Sequence, residues 1–328
     1  MSSVRRQDAA LLGALFAARG GRISRGDLAK TAGIAPGELE RRLAPYLEAG
    51  YPIEFYPQGS ISLAEPPDIW CAEEIAGRCP TRENFFAPGW DVLLLAETSS
   101  TNDVAREQAR RGKRAGFAVA ATRQTRGRGR LGRGWESSSG LGLYVSILLR
   151  PGSPTMEAGQ IMILSSVAAT EAIETVTGFR PQIKWPNDLV AHGRKLGGLL
   201  IETEREGSGI AFAVLGIGLN VRQGPGDFSP GLRDQATSLY LATGRLYRRA
   251  DLFVALLQAL ERRFGAPFEE TRRLWEASSL TLGQRVTLTT ARGRKYGQAV
   301  GLDESGALLL RGEWGEIETV TAGDMRTI

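Results

Sequence analysis

Histidine and cysteine are nearly absent from this chain. Among 328 residues there is one histidine, His192, and there are two cysteines, Cys71 and Cys79. A Ser-His-Asp triad would have to use His192, and a multi-histidine metal site is excluded. His192 sits between Ala191 and Gly193 and reads as a turn residue. The cysteine spacing fits no zinc pattern, and a disulfide framework needs more of them, so a reducing cytoplasm is the expected location. No run of about 18 apolar residues occurs, so no membrane span or membrane partner is expected. The first residues lead into a short apolar stretch (Leu11, Leu12, Leu15, Phe16) without a cleavage signature, which reads as a helix and not a signal peptide. A GxxxxGK[ST] phosphate loop is missing too, so ATP, if used, is held another way.

What is present is a concentration of positive charge. The net charge is +5, yet residues 106–133 alone hold ten basic side chains against the single acid Glu107. Arg106 to Arg114 read as a solvated helix face. The Arg126–Arg133 cluster lies in a loop where no helix face explains it, and that loop contains Gly127-Arg128-Gly129-Arg130-Leu131-Gly132-Arg133-Gly134-Trp135. Glycine lets backbone N–H groups approach a ligand, and arginine supplies a fixed, forked cation. The loop is suited to closing over an anion, although composition alone also allows a solvated basic loop. Gly127-x-Gly129-x-x-Gly132 matches the dinucleotide fingerprint literally. The segment Gly134 to Gly140 is hostile to helix, and no acid occurs between Glu136 and Glu157, so dinucleotide binding is set aside.

A second cluster is Lys184-Trp185-Pro186-Asn187-Asp188. A strand ending at Pro186 leaves Lys184 as a point charge for phosphate, with Asp188 in the turn to hold Mg²⁺ or orient a water. An Asn-Asp turn with a surface ion pair is the plainer alternative. Lys195 precedes Gly197-Gly198, and paired glycines in a strand mark a close approach to a ligand. Gly216-Ile217-Gly218-Leu219-Asn220 repeats that signature.

Three regions are expected: a winged helix-turn-helix at residues 1–66, a main body at 67–278 and a small β-barrel at 279–328. In the first, Ser24 caps a helix with Asp27 placed for a capping box, Gly33 ends it, and Pro36 opens a third helix with Leu39, Leu43 and Leu47 on one face. A hairpin is expected around Pro57–Ser60, and Glu65–Asp68 reads as a linker. The body reads as an α+β mixed sheet with helices on one face. Its strands are expected at Val92–Ala96, Phe117–Thr122, Leu143–Leu149, Ile183–Trp185, Leu196–Thr203 and Ala211–Gly218, and its helices at residues 101–112, 156–177, 251–264 and 267–277. The end of the chain alternates short strands with Gly/Asp turns.

The ordered set Ser100-Thr101-Asn102, Gly127-Arg128-Gly129-Arg130-x-Gly132-Arg133-x-Trp135, Lys184-Trp185-Pro186-Asn187-Asp188, Lys195-x-x-Gly198 and Gly216-x-Gly218-x-Asn220 closely resembles the biotin–protein ligases. With the N-terminal winged helix, the resemblance is to their bifunctional ligase/repressor branch, and it covers essentially the whole chain. Lipoate ligases, related by fold, do not use this Gly/Arg loop. The resemblance implies the biotin/lipoate ligase fold for the main body and an SH3-like barrel at the C-terminus. It implies joining biotin to ATP with Mg²⁺ to give biotinyl-5′-AMP and pyrophosphate, then transfer of biotin to a lysine of the biotin carboxyl carrier protein of acetyl-CoA carboxylase.

By residue matching, Ser100, Thr101, Asn102, Gln124, Arg128, Gly129, Arg130 and Lys195 would meet biotin. Arg128, Arg130, Arg133, Trp135, Lys184, Asn187, Asp188 and Asn220 would meet ATP or the adenylate, and Asp188 the metal. Lys195, Lys184 and Arg130 would act in catalysis. Operator DNA and a ligand-promoted homodimer are the further implied partners, with Arg41 and Arg42 as DNA contacts. The third helix departs from that role: it carries Glu38, Glu40 and Glu48 against those two arginines and contains Pro45. The alternative function is a regulator that only senses a small molecule; intact Lys184, Asp188, Lys195 and the arginines favour the enzyme.

Overall fold

The computed structural model describes residues 3–79, 86, 90–150, 156–207, 209–290 and 293–327. The chain begins with α1 (Ser3–Ala17), β1 (Arg22–Ser24), α2 (Arg25–Ala32), α3 (Leu39–Glu48), β2 (Ile53–Phe55) and β3 (Ser60–Leu63). Ser24 Oγ accepts the Asp27 N–H at 3.0 Å, and Gly33 closes α2 with φ 65°. Pro36 opens a 3₁₀ turn ahead of α3 and not α3 itself. Leu11, Leu12, Leu15, Leu28, Leu39, Leu43, Ile61 and Leu63 form one core. Leu47 departs from the expected stripe and is 39% exposed: at 3.6 residues per turn it lies about 80° round the helix from Leu39. The hairpin gains a third strand, in the order β1-β3-β2; three residues between two helices are too few to carry a strand pattern.

The expected linker is a docking element. It leads into α4 (Ala72–Arg78), which packs on α1. Glycines permit that contact: a Cβ on Gly77 would fall 1.9 Å from the Ala9 carbonyl oxygen, and one on Gly13 2.3 Å from that of Gly77. Glu74 is fully buried, accepts the Tyr51 hydroxyl at 2.5 Å and pairs with Arg78 and Arg248. Burial, reinforced by the Glu74 charge, pushes the Tyr51 phenol far above its ordinary range. Asp68 accepts from Arg222 at 2.6 Å, and from the Arg249 backbone and side chain at 2.8 Å each.

The body comprises β4 (Asp91–Thr98), α5 (Thr101–Arg110), β5 (Phe117–Gln124), β6 (Gly142–Leu149), α6 (Ala158–Thr177), β7 (Gln182–Lys184), β8 (Asp188–Ala191), β9 (Arg194–Glu206), β10 (Gly209–Asn220), α7 (Leu239–Thr243), α8 (Arg249–Phe264) and α9 (Phe268–Ser278). The sheet runs β4-β5-β6-β10-β9-β8-β7; β4 and β5 are parallel and the other pairs antiparallel. It is a mixed sheet, as expected. Helices are not confined to one face. One face, with Val145, Ile147, Leu215 and Ile217, is covered by α6 and α8. On the other, α5 packs Ala105 and Ala109 against Val119, Leu148 and Val214. Along β10 that second face continues into Gly216 and Gly218, so the sheet is left bare just beyond α5.

The C-terminal sheet has β11 (Arg285–Thr290), β12 (Gly293–Leu302), β13 (Leu308–Arg311), β14 (Ile317–Val320) and β15 (Asp324–Thr327), in the order β14-β13-β12-β11-β15. Its buried Val286, Leu288, Leu308 and Leu310 join the core of the body. Sequence reading missed β15, a four-residue strand with two charges. Among the described residues, no helix is long and apolar enough to cross a membrane.

Candidate active site

A cavity of about 760 Å³ opens over the bare part of the sheet, within the range of small-molecule sites. All of Ser100, Thr101, Asn102, Gln124, Arg128, Gly129, Arg130, Arg133, Trp135, Lys184, Asn187, Asp188, Lys195 and Asn220 line it. Its floor is glycine for a steric reason. A Cβ on Gly216 would fall 2.3 Å from Asn102 Oδ1, and one on Gly218 2.5 Å from the Trp135 ring. Gly198 pairs with both Gly218 and Asp188 in the sheet register.

One wall is a set of fixed polar side chains at the start of α5. The Thr101 N–H donates to Gln124 Oε1 at 2.8 Å, while Gln124 Nε2 donates to Ser137 Oγ at 3.0 Å. Both ends of the Gln124 amide are therefore oriented. Ser146, fully buried in β6, places its hydroxyl 2.7 Å from Thr101 Oγ1 and 2.5 Å from Asn102 Oδ1. The Ser100 side chain is buried but makes no cap bond to the helix.

The Gly/Arg segment is a small hairpin. Arg128 and Gly134 pair across it, Gly129 N–H donates to the Arg133 carbonyl at 2.7 Å, and Trp135 N–H to that of Gly127 at 2.9 Å. Its tip is a 3₁₀ turn in which Leu131 has φ 56°, a conformation an L-residue adopts at some cost. Arg128 forms two bonds of 2.7 Å to Asp103 and a third of 3.3 Å to Glu202. The hydrogen bonds from Arg128 hold the Asp103 carboxyl below its ordinary range. Arg133 reaches Asp324 in β15 at 2.6 Å, and Arg133 likewise keeps that carboxyl low. The loop is thus fastened by carboxylates on α5, β9 and β15.

Arg130 differs. Among the described residues it bonds only neutral acceptors, Asn187 Oδ1 and the Gly323 carbonyl, each at 3.2 Å, and burial lowers its pKa. Lys184 has no ion pair or side-chain hydrogen bond among the described residues. Lys195 Nζ meets Asp188 Oδ1 at 2.7 Å and stands 5.6 Å from the centre of the Trp135 ring. Its backbone is clamped from the far side by Gln235 and Thr237. Asn187 donates to the Leu199 carbonyl at 2.7 Å, and Asn220 to that of Thr237 at 3.0 Å. No group of three potential metal ligands forms among the described residues.

This geometry has counterparts. Residues 94–220 match the biotin/lipoate A/B protein ligase family, and residues 281–325 match the biotin protein ligase C-terminal domain. The bifunctional ligase/repressor BirA of Bacillus subtilis is 35% identical over 265 residues, with 80% of each chain covered. The chain belongs to the biotin protein ligase family. A second family member, the biotin–[acetyl-CoA-carboxylase] ligase of Paracoccus denitrificans, is 33% identical over 68% of this chain and 95% of its own. The Aquifex aeolicus biotin protein ligase, solved in complex with biotin and ATP, superposes with a TM-score of 0.64 at 32% identity, covering 73% of this chain and 99% of that one.

Both arginines expected as DNA contacts already have partners within the N-terminal unit. Arg42 does not face outward: it bonds Asp8 at 2.9 Å and Gln7 at 2.6 Å, tying α3 to α1. Arg41 is exposed but paired with Glu38 at 2.7 Å. Residues that sequence reasoning passed over are Ser146, Glu202, Asp103 and Asp324. The small polar residue in the apolar strand 143–149 was the one available signal for Ser146.

Proposed function

We propose that this protein is an ATP-dependent biotin–protein ligase. It joins biotin and ATP to biotinyl-5′-AMP and passes the biotinyl group to a lysine of a biotin carboxyl carrier protein. The observation that carries the reading is the charge state of the cavity. Among the described residues, Lys184 and Arg130 face it with no carboxylate in salt-bridge range, beside a wall of oriented amides and hydroxyls. The two cations suit phosphates and a carboxylate; the wall suits a neutral ring with donors and acceptors.

In the first step a biotin carboxylate oxygen attacks the α-phosphorus and pyrophosphate leaves. In the second the acceptor lysine's neutral amine attacks the carbonyl carbon of the mixed anhydride, AMP leaves, and the nitrogen gives up a proton to solvent. Neither step needs a covalent nucleophile from the protein. Ser100, Thr101, Asn102 and Gln124 hold the ring and chain of biotin. Lys195 lies beside the carboxyl group and stabilises the charge that develops there, while Arg130 and Lys184 do so at the phosphates. Trp135 over Gly218, together with Asn220, borders the adenine side. Arg128, Gly129 and Arg133 give the hairpin its shape and its anchors, and the hairpin shields the anhydride from water.

Mg²⁺ fits this donor set as part of the nucleotide complex. Asp188 would be the carboxylate that holds it, since Mg²⁺ brought in with a nucleotide needs only one or two carboxylates from a protein. It would supply charge neutralisation across the phosphates. The region assignment at 1–66, 67–278 and 279–328 accompanies this reading, as does a cytoplasmic location, which two free cysteines fit. The experiment is incubation of the full chain with biotin, Mg-ATP and a carrier domain. Labelling of one lysine supports the reading, and labelling by lipoate in its place would redirect it.

Repression is a second role, favoured by the α1-β1-α2-α3-β2-β3 order of a winged helix-turn-helix and the ligase/repressor relative. A dimer promoted by the adenylate would set two copies of α3 on two half-sites about one helical turn apart. Titration of a biotin-operon promoter with and without biotin and ATP tests it.

A further inference from the structure

Glu202 lies in β9 on the same side of the sheet as Gly198, behind the wall of the cavity and outside its lining. Three donors converge on its carboxylate: Asn102 Nδ2 at 2.6 Å, Arg106 at 2.7 Å and Arg128 at 3.3 Å. Burial alone would raise its pKa; Asn102 and the two arginines outweigh that and hold it below the ordinary range. The side chain therefore stays an acceptor at working pH.

Asn102 is the residue this matters to. Its amide has two unlike ends, a donor and an acceptor. The acceptor Oδ1 takes the Ser146 hydroxyl at 2.5 Å, over the space that Gly216 leaves empty. The serine hydroxyl could serve either end of the amide, because it both donates and accepts. Glu202 could not: an ionised carboxylate only accepts. The carboxylate is thus the group that decides which way round the Asn102 amide stands, and Asn102 lines the cavity.

We infer that Glu202 is a positioning residue that fixes the amide polarity of Asn102 and through it the recognition of the ureido ring of biotin. This rests on the reading of the cavity as a biotin and ATP site. A glutamine at 202 would meet either end of the Asn102 amide equally well, so the orientation would no longer be set. The arginine contacts would weaken as well, but those arginines retain Asp103.

The test uses the full chain as wild type, Glu202→Gln, Glu202→Asp, Asn102→Ala and the Asn102→Ala/Glu202→Gln double variant. Biotin and ATP affinities are measured separately by calorimetry, with KM for biotin, kcat and melting temperature alongside. Glu202→Gln is expected to raise the biotin Kd and KM by about tenfold or more, the scale of a charge-assisted hydrogen bond. ATP affinity and kcat at saturating biotin should stay near wild type. Glu202→Asp, which keeps the acceptor, should recover part of the loss. In the Asn102→Ala background Glu202→Gln should have little further effect, a coupling that a merely structural role would not produce. The inference is overturned if Glu202→Gln binds biotin as wild type does, if it weakens biotin and ATP equally with a lowered melting temperature, or if the two substitutions add. Failure of the wild type to bind biotin would overturn the site reading itself, and the inference with it.

Discussion

Trp135 packs against Gly218 so closely that a Cβ at the glycine would lie 2.5 Å from the indole Cε2. The hairpin that carries the arginines is therefore seated on the sheet by an aromatic ring resting where a side chain is missing. Gly218 also pairs with Gly198 and Tyr144 in the sheet, so the backbone beneath the ring cannot retreat without breaking register.

Gly218→Ala should displace Trp135 while leaving the sheet paired. Overpacking of this kind costs about 1–3 kcal/mol. ATP affinity should fall because the ring is displaced, with a smaller effect on biotin, whose ring contacts are at the start of α5 and at Gln124. ATP binding of wild-type strength in the variant would remove Trp135 from the nucleotide side.

Lys195→Ala should slow adenylate formation by about 10²–10³, the usual cost of losing one preorganised charge stabiliser. Its pair with Asp188 is half exposed, and such pairs contribute little to stability. A single-turnover measurement of biotinyl-AMP formation, with a melting curve beside it, checks this. Near-normal turnover would take Lys195 out of the chemistry.

Asp103 should titrate below the ordinary aspartate value of about 3.9, because Arg128 bonds its ionised form. The depression sets the sign of the pH dependence. The contribution to stability is present above the unfolded-state pKa and is lost as pH falls through the lower folded-state value. NMR titration should show the carboxyl moving back up in Arg128→Ala. An Asp103 pKa unchanged by that substitution would mean that the bidentate pair does not persist in solution.

DNA binding by the N-terminal unit, if measured, should depend only shallowly on salt. Each neutralised phosphate contributes about −0.9 to the slope of log K against log salt. On the outer face of α3, Arg41 is flanked by exposed Glu40 and Glu48, and the hairpin tip at Pro57–Gly59 carries no charge. Arg41→Ala should change the slope by no more than about 0.9, and a wild-type slope worth many phosphates would show that the N-terminal unit makes far more backbone contacts than α3 suggests.

The residues that could be read from sequence are those whose type is forced locally. Gly216, Gly218 and Gly127 are glycine because an amide, a ring or a backbone oxygen occupies the Cβ position, and a run of arginines in a loop has no other local explanation. The helix capped by Ser24 and closed by Gly33 was legible for the same reason. What escaped depends on distant partners. Asp68 reads as linker until Arg222 and Arg249 arrive from more than 150 residues away. Glu202 reads as the polar end of a strand until Asn102 is brought beside it. Arg42 reads as a surface charge until α1 covers it. β15 and α4 are too short for periodicity, yet one supplies Asp324 to the loop and the other buries Glu74.

Biotin activation is tested most directly by biotin-dependent ATP–pyrophosphate exchange, measured on the purified chain with Mg²⁺. Exchange should require biotin and should be lost together with the Lys184 or Lys195 charge. Exchange that did not respond to biotin, or that responded to lipoate in its place, would contradict a biotin ligase.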